Sequence, residues 1–173
     1  PPPTATILQE GDMWFNSSSS TLKGYAASAG IPSGTWASGG NLNTGRGNMN
    51  GLGTQTAALG MGGSPNRADV ESYNGTSFTE VNNLNTGRMY MAASGTQTAG
   101  LTYGGYTSPP TTRYANTESW DGTNWTEVGD LNLARDSMGG GGTQDSALCM
   151  GGQTTTLHAN VESWNGSSWT ELA

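Results

Sequence analysis

The sequence repeats itself, and the length of that repeat constrains the fold more than any other feature. The segment Gly-Thr-Gln-Thr-Ala at 53–57 recurs at 95–99 and more loosely at 142–146, in steps of 42 and then 47 residues. The repeats differ in length mainly between their Gly-Gly pair and their Glu-Ser-aromatic segment. This is expected when a loop of variable length connects strands of constant length. Periods of this size are typical of architectures in which similar units stack on one another.

Each repeat has the pattern of four short strands separated by turns. The third and fourth strands are joined by Asn-Gly or Asp-Gly, a strong hairpin signal because both residues tolerate positive φ. The predicted first, second and third strands are 49–52, 57–61 and 70–73; 89–93, 100–103 and 117–120; 138–141, 147–150 and 161–164. The fourth strands begin at Phe78, Trp125 and Trp169. A four-stranded period of this length predicts an all-β fold of antiparallel β-propeller blades.

Composition excludes several classes of protein. The 28 glycines disfavour helices. The sequence contains no run of about 20 apolar residues, the length that a membrane-spanning helix requires. A net charge of −7 with one lysine disfavours nucleic acid, which requires a basic patch. Cys149 and His158 are each the sole residue of their type, so a disulfide within the chain and a multi-histidine metal site are excluded. No nucleophile has an evident base, and we therefore predict no enzyme, catalytic residue, metal or cofactor.

The repeats resemble kelch repeats, in which an arginine precedes an apolar strand that ends in Gly-Gly and is followed by two spaced aromatics. Three copies match this pattern over 46–173: Arg46, Gly62, Gly63, Tyr73 and Phe78; Arg88, Gly104, Gly105, Trp120 and Trp125; Arg135, Gly151, Gly152, Trp164 and Trp169. The departures are Phe78 in place of the second Trp and Trp in place of Tyr in two copies. The resemblance implies a kelch-like β-propeller.

The N-terminal third differs from the repeats but is related to them. Segments 11–16 and 21–25 look like a hairpin across the Ser-rich turn 17–20, and 36–42 aligns with a fourth strand. The predicted organisation is a connector (1–10), a hairpin module or partial blade (11–45) and three blades (46–87, 88–134 and 135–173). The hairpin segment followed by the Gly-Thr-Gln repeats is similar to kelch-like structural proteins of tailed phages of marine bacteria, in tail fibres or other appendages.

Most repeated residues are explained by structure. One arginine and one glutamate per unit (Glu71, Glu118 and Glu162) are expected to pair, and the repeated aromatics are expected to pack between blades. A further glutamate per unit, at 80, 127 and 171, is expected on the outer strand, where a charge protects a sheet edge from aggregation.

Residues outside the repeat pattern are the better candidates for binding, because binding residues are commonly carried by loops on a rigid scaffold. Arg67, Arg113 and His158 lie in the variable loops 64–69, 106–116 and 153–160. Tyr106, Tyr114 and Tyr90 are aromatics without equivalents in the other units. We predict that Arg67, Arg113, Tyr114, Tyr106 and His158 line one rim and contact a ligand such as an anionic sugar.

The predicted function is a non-enzymatic structural or binding protein of a virion appendage, located on a virion or outside the cell. Its expected partners are further copies of itself, other virion proteins and a host glycan or receptor. Two alternatives remain: a carbohydrate-active or oxidising enzyme on a kelch scaffold, and a cellular kelch module that binds proteins. Four blades is the lower limit for a closed propeller, so the ring is expected to need more sequence or another chain.

Overall fold

The computed structural model describes residues 13–16, 21–24 and 38–172. The chain divides into two compact units, Pro1–Ser38 and Gly39–Ala173. In the first unit, β1 (Met13–Asn16) pairs antiparallel with β2 (Thr21–Gly24). The predicted N-terminal hairpin therefore forms, whereas its turn (17–20) and the connector (1–10) lie outside the described residues.

The second unit contains three four-stranded antiparallel sheets, which we call blades 1, 2 and 3. Blade 1 consists of β3 (Asn50–Thr54), β4 (Ala57–Met61), β5 (Val70–Tyr73) and β6 (Phe78–Val81). Blade 2 consists of β7 (Ala92–Thr96), β8 (Ala99–Tyr103), β11 (Thr117–Trp120) and β12 (Trp125–Val128), with a small hairpin of β9 (Tyr106–Thr107) and β10 (Thr112–Arg113) in its loop. Blade 3 consists of β13 (Gly139–Gly142), β14 (Ala147–Met150), β15 (Val161–Trp164) and β16 (Trp169–Leu172). The prediction of an all-β fold of four-stranded antiparallel blades is confirmed, and no helix occurs over the described ranges.

The first strands begin later than predicted, at Asn50, Ala92 and Gly139 rather than at 49, 89 and 138. In blade 2 the reason is Tyr90, which lies inside the predicted strand 89–93 and is left-handed with φ of 55°; Asn48 (55°) and Ser137 (60°) have the same conformation just before the predicted starts of the other two strands. A positive φ interrupts extended backbone, so the ladder starts only after this residue.

Two further segments differ from prediction. The variable loop 106–116 was expected to lack strands, but it contains the β9–β10 hairpin. The segment 36–42 was expected to be a fourth strand, but its described part, 38–42, is not a strand. No described strand pairs with it; Gly40 instead lies so close to the turn of blade 1 that a Cβ there would be 2.4 Å from the Thr76 carbonyl oxygen.

The hydrophobic core lies between successive blades. One cluster joins Leu59 and Met61 of blade 1 to Trp120 and Trp125 of blade 2, and an equivalent cluster joins Leu101 and Tyr103 to Trp164 and Trp169. β3 contacts β7 and β7 contacts β13, so the first strands of the blades are neighbours. As expected, the repeated tryptophans are core residues, and Glu80, Glu127 and Glu171 are exposed on the outer strands.

The repeated charges pair within each blade. Arg46 donates to Glu71 at 2.5 Å, Arg88 donates to Glu118 at 2.5 Å, and Arg135 pairs with Glu162; all six side chains are almost completely buried. Burial by itself raises the pKa of Glu71, but hydrogen bonds from the Asn43 amide and the Arg46 guanidinium outweigh it, so this pKa lies below its usual value. These pairs join the segment before each first strand to the third strand, and they are structural.

The glycine pairs allow close approach between blades. Gly62 has φ of 63°, and a Cβ on it would lie 2.4 Å from Met91 Cε and 2.6 Å from the Arg88 carbonyl oxygen of the next blade. The Gly63 N–H donates to the same Arg88 carbonyl at 3.0 Å. A side chain at 62 would therefore strain the backbone and force the blades apart.

Candidate functional site

The predicted loop residues all lie at one end of the blades. In each blade the start of the first strand is paired with the end of the second, as Asn50 with Met61 and Ala92 with Tyr103. The loops after the second strands and the segments before the first strands consequently meet at this end. We call this end the loop face; it comprises 46–49, 62–69, 88–91, 104–116, 135–138 and 151–160.

The small hairpin of blade 2 brings three predicted site residues together. Arg113 and Tyr106 are directly opposite in its antiparallel register, so their side chains leave the same face of the hairpin. The Tyr114 hydroxyl lies 3.4 Å from Thr107 Oγ1. The hairpin is anchored by two backbone hydrogen bonds between Met89 and Tyr106, of 3.0 and 2.9 Å.

Tyr106 stacks on Tyr90, which belongs to the segment before the first strand of blade 2. The ring centroids are 5.5 Å apart with an interplanar angle of 23°. Tyr90 is 38% exposed, whereas the repeated tryptophans are at most 6% exposed. The aromatic pair therefore presents ring surface to solvent at the loop face.

The backbone holds Tyr90 in place from both neighbouring blades. Its N–H donates to the Asn48 carbonyl at 3.1 Å, and its carbonyl accepts the Ser137 N–H at 2.9 Å. All three residues are left-handed and lie two positions after a repeated arginine. The three blades thus have the same backbone conformation at this position but carry different side chains there, Asn, Tyr and Ser.

The arginines of the loop face are already paired with carboxylates. Arg113 Nε donates to Asp136 Oδ2 at 2.7 Å, and Arg67 forms an ion pair with Asp69. Asp136 is buried, and its other oxygen, Oδ1, accepts bonds from Gln153 at 3.0 Å and from Ser137 Oγ at 2.9 Å. The loop face therefore offers polar groups that are paired and held in place.

The remaining predicted residues lie in separate loops. His158 Nε2 is 2.8 Å from Thr154 Oγ1, within its own loop. The loops of blades 1 and 2 are joined by Asn66, which accepts the Ser108 N–H at 2.9 Å and donates to the Ser108 carbonyl at 3.2 Å. Among the described residues, no hydrogen bond or ion pair links Arg67, Arg113 and His158 to one another.

Sequence analysis missed the contribution of Asp136 and gave Tyr90 no role in the repeat. A signal for both was present, since the two positions after each repeated arginine read Gly-Asn, Met-Tyr and Asp-Ser while the flanking residues are kept. Residues that vary inside an otherwise constant motif occupy positions where the fold does not require one particular side chain.

Two depressions lie away from the loop face, along the outer seams of the blades. One, of about 230 Å³, is lined by Val81, Asn82, Trp120, Gly122 and Thr123. The other, of about 430 Å³, lies beside Trp125 and Glu127. Both are open and shallow.

Comparison with protein-family models and with curated proteins finds no match. Among the described residues, no group of three or more His, Cys, Asp or Glu side chains is placed to hold a metal ion. None of the secondary structure in the described ranges is a helix long and apolar enough to cross a membrane.

Proposed function

We propose that the chain is a non-enzymatic recognition protein that binds a surface glycan of a host cell through its loop face. The main observation in its support is the stacked Tyr90–Tyr106 pair, which exposes aromatic ring surface beside the hydrogen-bonded Arg113–Asp136 pair. Sugars combine apolar C–H faces with hydroxyl groups, so a flat aromatic surface next to fixed donors and acceptors suits them. The proposed setting, a virion appendage, rests on the sequence resemblance.

The surroundings favour recognition because the site is preorganised. Tyr90 is held by backbone hydrogen bonds to two blades, and Arg113 is held by a buried carboxylate. Preorganised side chains lose little conformational entropy on binding, which raises the affinity that a small contact area can provide.

The test is a glycan array followed by calorimetric titration of any glycan that binds. We expect Tyr90→Ala and Tyr106→Ala each to weaken binding by roughly tenfold or more, because each removes half of the stacking surface. Tyr90→Phe keeps the ring and should retain most of the affinity. Thr123→Ala, at an exposed turn at the opposite end of blade 2, is the matched control and should bind like the unmodified chain.

Absence of binding to all arrayed glycans, or equal binding by Tyr90→Ala and the unmodified chain, would refute the proposal. Near-ultraviolet circular dichroism of each variant distinguishes loss of binding from loss of fold.

A further inference from the structure

We propose that Asp136 makes the loop face selective for uncharged sugars over acidic ones, because it neutralises Arg113 beside the aromatic pair. This inference rests on the proposed function, since it names the class of glycan that the same site accepts. The residues concerned lie where blade 2 meets blade 3, inside the described ranges.

Every arginine of the chain is bound to a carboxylate. The pairs are Arg46–Glu71, Arg67–Asp69, Arg88–Glu118, Arg113–Asp136 and Arg135–Glu162. A carboxylate ligand is bound most strongly by a guanidinium whose charge is not already compensated. The described residues 38–172, which contain all five arginines, offer no guanidinium of that kind.

Arg113 is the arginine beside the aromatic pair, and part of its side chain reaches solvent. It is directly opposite Tyr106 in the small hairpin, and Tyr106 stacks on Tyr90. The Arg113 side chain is 26% exposed, whereas that of Asp136 is 1% exposed. Only Nε of the guanidinium donates within the described residues, to Asp136 Oδ2 at 2.7 Å. The other N–H groups can therefore donate to the hydroxyl groups of a sugar that stacks on the rings.

Asp136 is held in place against Arg113 by bonds on both of its carboxylate oxygens. While Oδ2 accepts from Arg113, Oδ1 accepts from Gln153 Nε2 at 3.0 Å and from Ser137 Oγ at 2.9 Å. Two backbone hydrogen bonds between Asp136 and Gln153, of 3.0 and 2.8 Å, fix the main chain as well. An incoming carboxylate would have to break these bonds to take Arg113 from Asp136.

An acidic sugar that shared Arg113 would bring a second negative charge close to the buried Asp136. One guanidinium compensates one of these charges, and the repulsion between the two carboxylates is strong where water is partly excluded. The net charge of −7 adds a longer-range repulsion of anions. A sugar hydroxyl meets neither obstacle, so the site selects by charge while the rings accept the C–H face of either sugar.

The test compares sugars that differ only in charge. Calorimetric titration uses oligosaccharides ending in glucose, galactose or mannose, each against the oligosaccharide ending in the corresponding uronic acid. We expect the unmodified chain to bind the neutral member of a pair roughly tenfold more tightly or better. Its affinity for the neutral member should change by less than about twofold between about 0.02 and about 0.5 M NaCl, because no ligand charge is screened.

Asp136→Asn removes the charge of residue 136 and keeps its size. The new amide can accept from Arg113 and donate to Gln153 and Ser137, since both of these side chains can also accept. Arg113 then carries an uncompensated charge at a partly exposed position. We expect the ratio of affinities to shift towards the uronic acid by roughly tenfold or more.

Asp121→Asn is the matched control, because it changes the net charge equally at the exposed turn at the opposite end of blade 2. Hydrogen bonds from the backbone amides of Asn124 and Thr123 lower the pKa of Asp121, so the substitution removes a real charge. Asparagine already makes the same turn in the other blades, at Asn74 and Asn165. The ratio of affinities should be that of the unmodified chain.

The outcomes separate this inference from the proposed function. Tyr90→Ala should weaken both members of a pair equally, whereas Asp136→Asn should change their ratio. Equal or tighter binding of the uronic acid by the unmodified chain would overturn the role of Asp136 and leave glycan binding standing. An unchanged ratio in Asp136→Asn with native near-ultraviolet circular dichroism would do the same. Absence of binding to every neutral and acidic member would overturn both.

Discussion

At the scale of the residue, the blades differ in whether the buried indole N–H of the second repeated tryptophan has a hydrogen-bond acceptor. Trp169 Nε1 of blade 3 donates to Thr117 Oγ1 of blade 2 at 2.9 Å. Trp125 is its equivalent in blade 2, but its Nε1 is buried without a partner among the described residues. The cause is one substitution within the repeat, since Val70 stands in blade 1 where Thr117 stands in blade 2.

Val70→Thr should therefore stabilise the chain by about 1 kcal/mol, because it gives a buried donor its acceptor at nearly constant side-chain volume. Thr117→Val should destabilise it by about 1–3 kcal/mol by leaving Trp169 Nε1 unpaired. Chemical denaturation measures both changes. Val161→Thr is the control without a tryptophan to pair with; if it stabilised the chain as much as Val70→Thr, the explanation would be wrong.

At the scale of the element, the turn between the first two strands holds neighbouring blades together. Gln144 Nε2 donates to the Trp120 carbonyl at 2.5 Å and to Ser119 Oγ at 2.9 Å. Its own carbonyl accepts Trp164 Nε1 of the same blade at 2.8 Å. One turn residue thus links the third strand of the preceding blade to the aromatic core of its own.

Gln144→Ala should lower the free energy of unfolding by about 1–3 kcal/mol, since it removes the donor for these half-buried acceptors. Gln55→Ala is the same change at a position that makes no hydrogen bond within the described residues, and it should alter the free energy of unfolding by less than about 0.5 kcal/mol. Thermal or urea denaturation at low protein concentration compares them. Equal destabilisation by the two variants would contradict the assigned role of the turn.

At the scale of the whole molecule, stability depends on contacts between neighbouring blades, as in other repeat proteins. The Cys149 thiol reports on the contact between blades 2 and 3, because it is buried in the cluster that contains Tyr103 and Trp164. Burial raises the pKa of Cys149 to about 11, although the nearby Arg135 guanidinium partly opposes this. Since the thiolate is the reactive form, the thiol is protected both by burial and by protonation.

Alkylation of Cys149 at pH 8 should be roughly 100-fold slower in the folded chain than in denaturant, as the thiolate fraction alone differs by that order. Gln144→Ala loosens the same contact and should speed the reaction, whereas Gln55→Ala should not. Mass spectrometry after timed exposure to iodoacetamide gives the rates. A folded chain that reacts as fast as the unfolded one would show that this contact does not protect the thiol.

The sequence by itself determined the blades. Period, hairpin turns and the pattern of apolar residues are local signals, and three copies reinforced one another, so the third and fourth strands begin where predicted. The arginine–glutamate pairing and the aromatic core followed from one residue of each type per repeat. The first strand of blade 2 was misplaced because the positive φ at Tyr90, inside the predicted strand, belongs to no recognisable turn motif.

The tertiary structure alone decided how the variable residues are combined. Tyr90 meets Tyr106, and Arg113 meets Asp136 from the next blade, 23 residues further along the chain. Such contacts depend on how one blade stacks on another. The spacing of residues along the sequence does not determine the resulting distances between their side chains. The same stacking buries Leu59 and Leu101 under the next blade and pairs Gln97 and Gln144 with the preceding one, because each blade covers its neighbour.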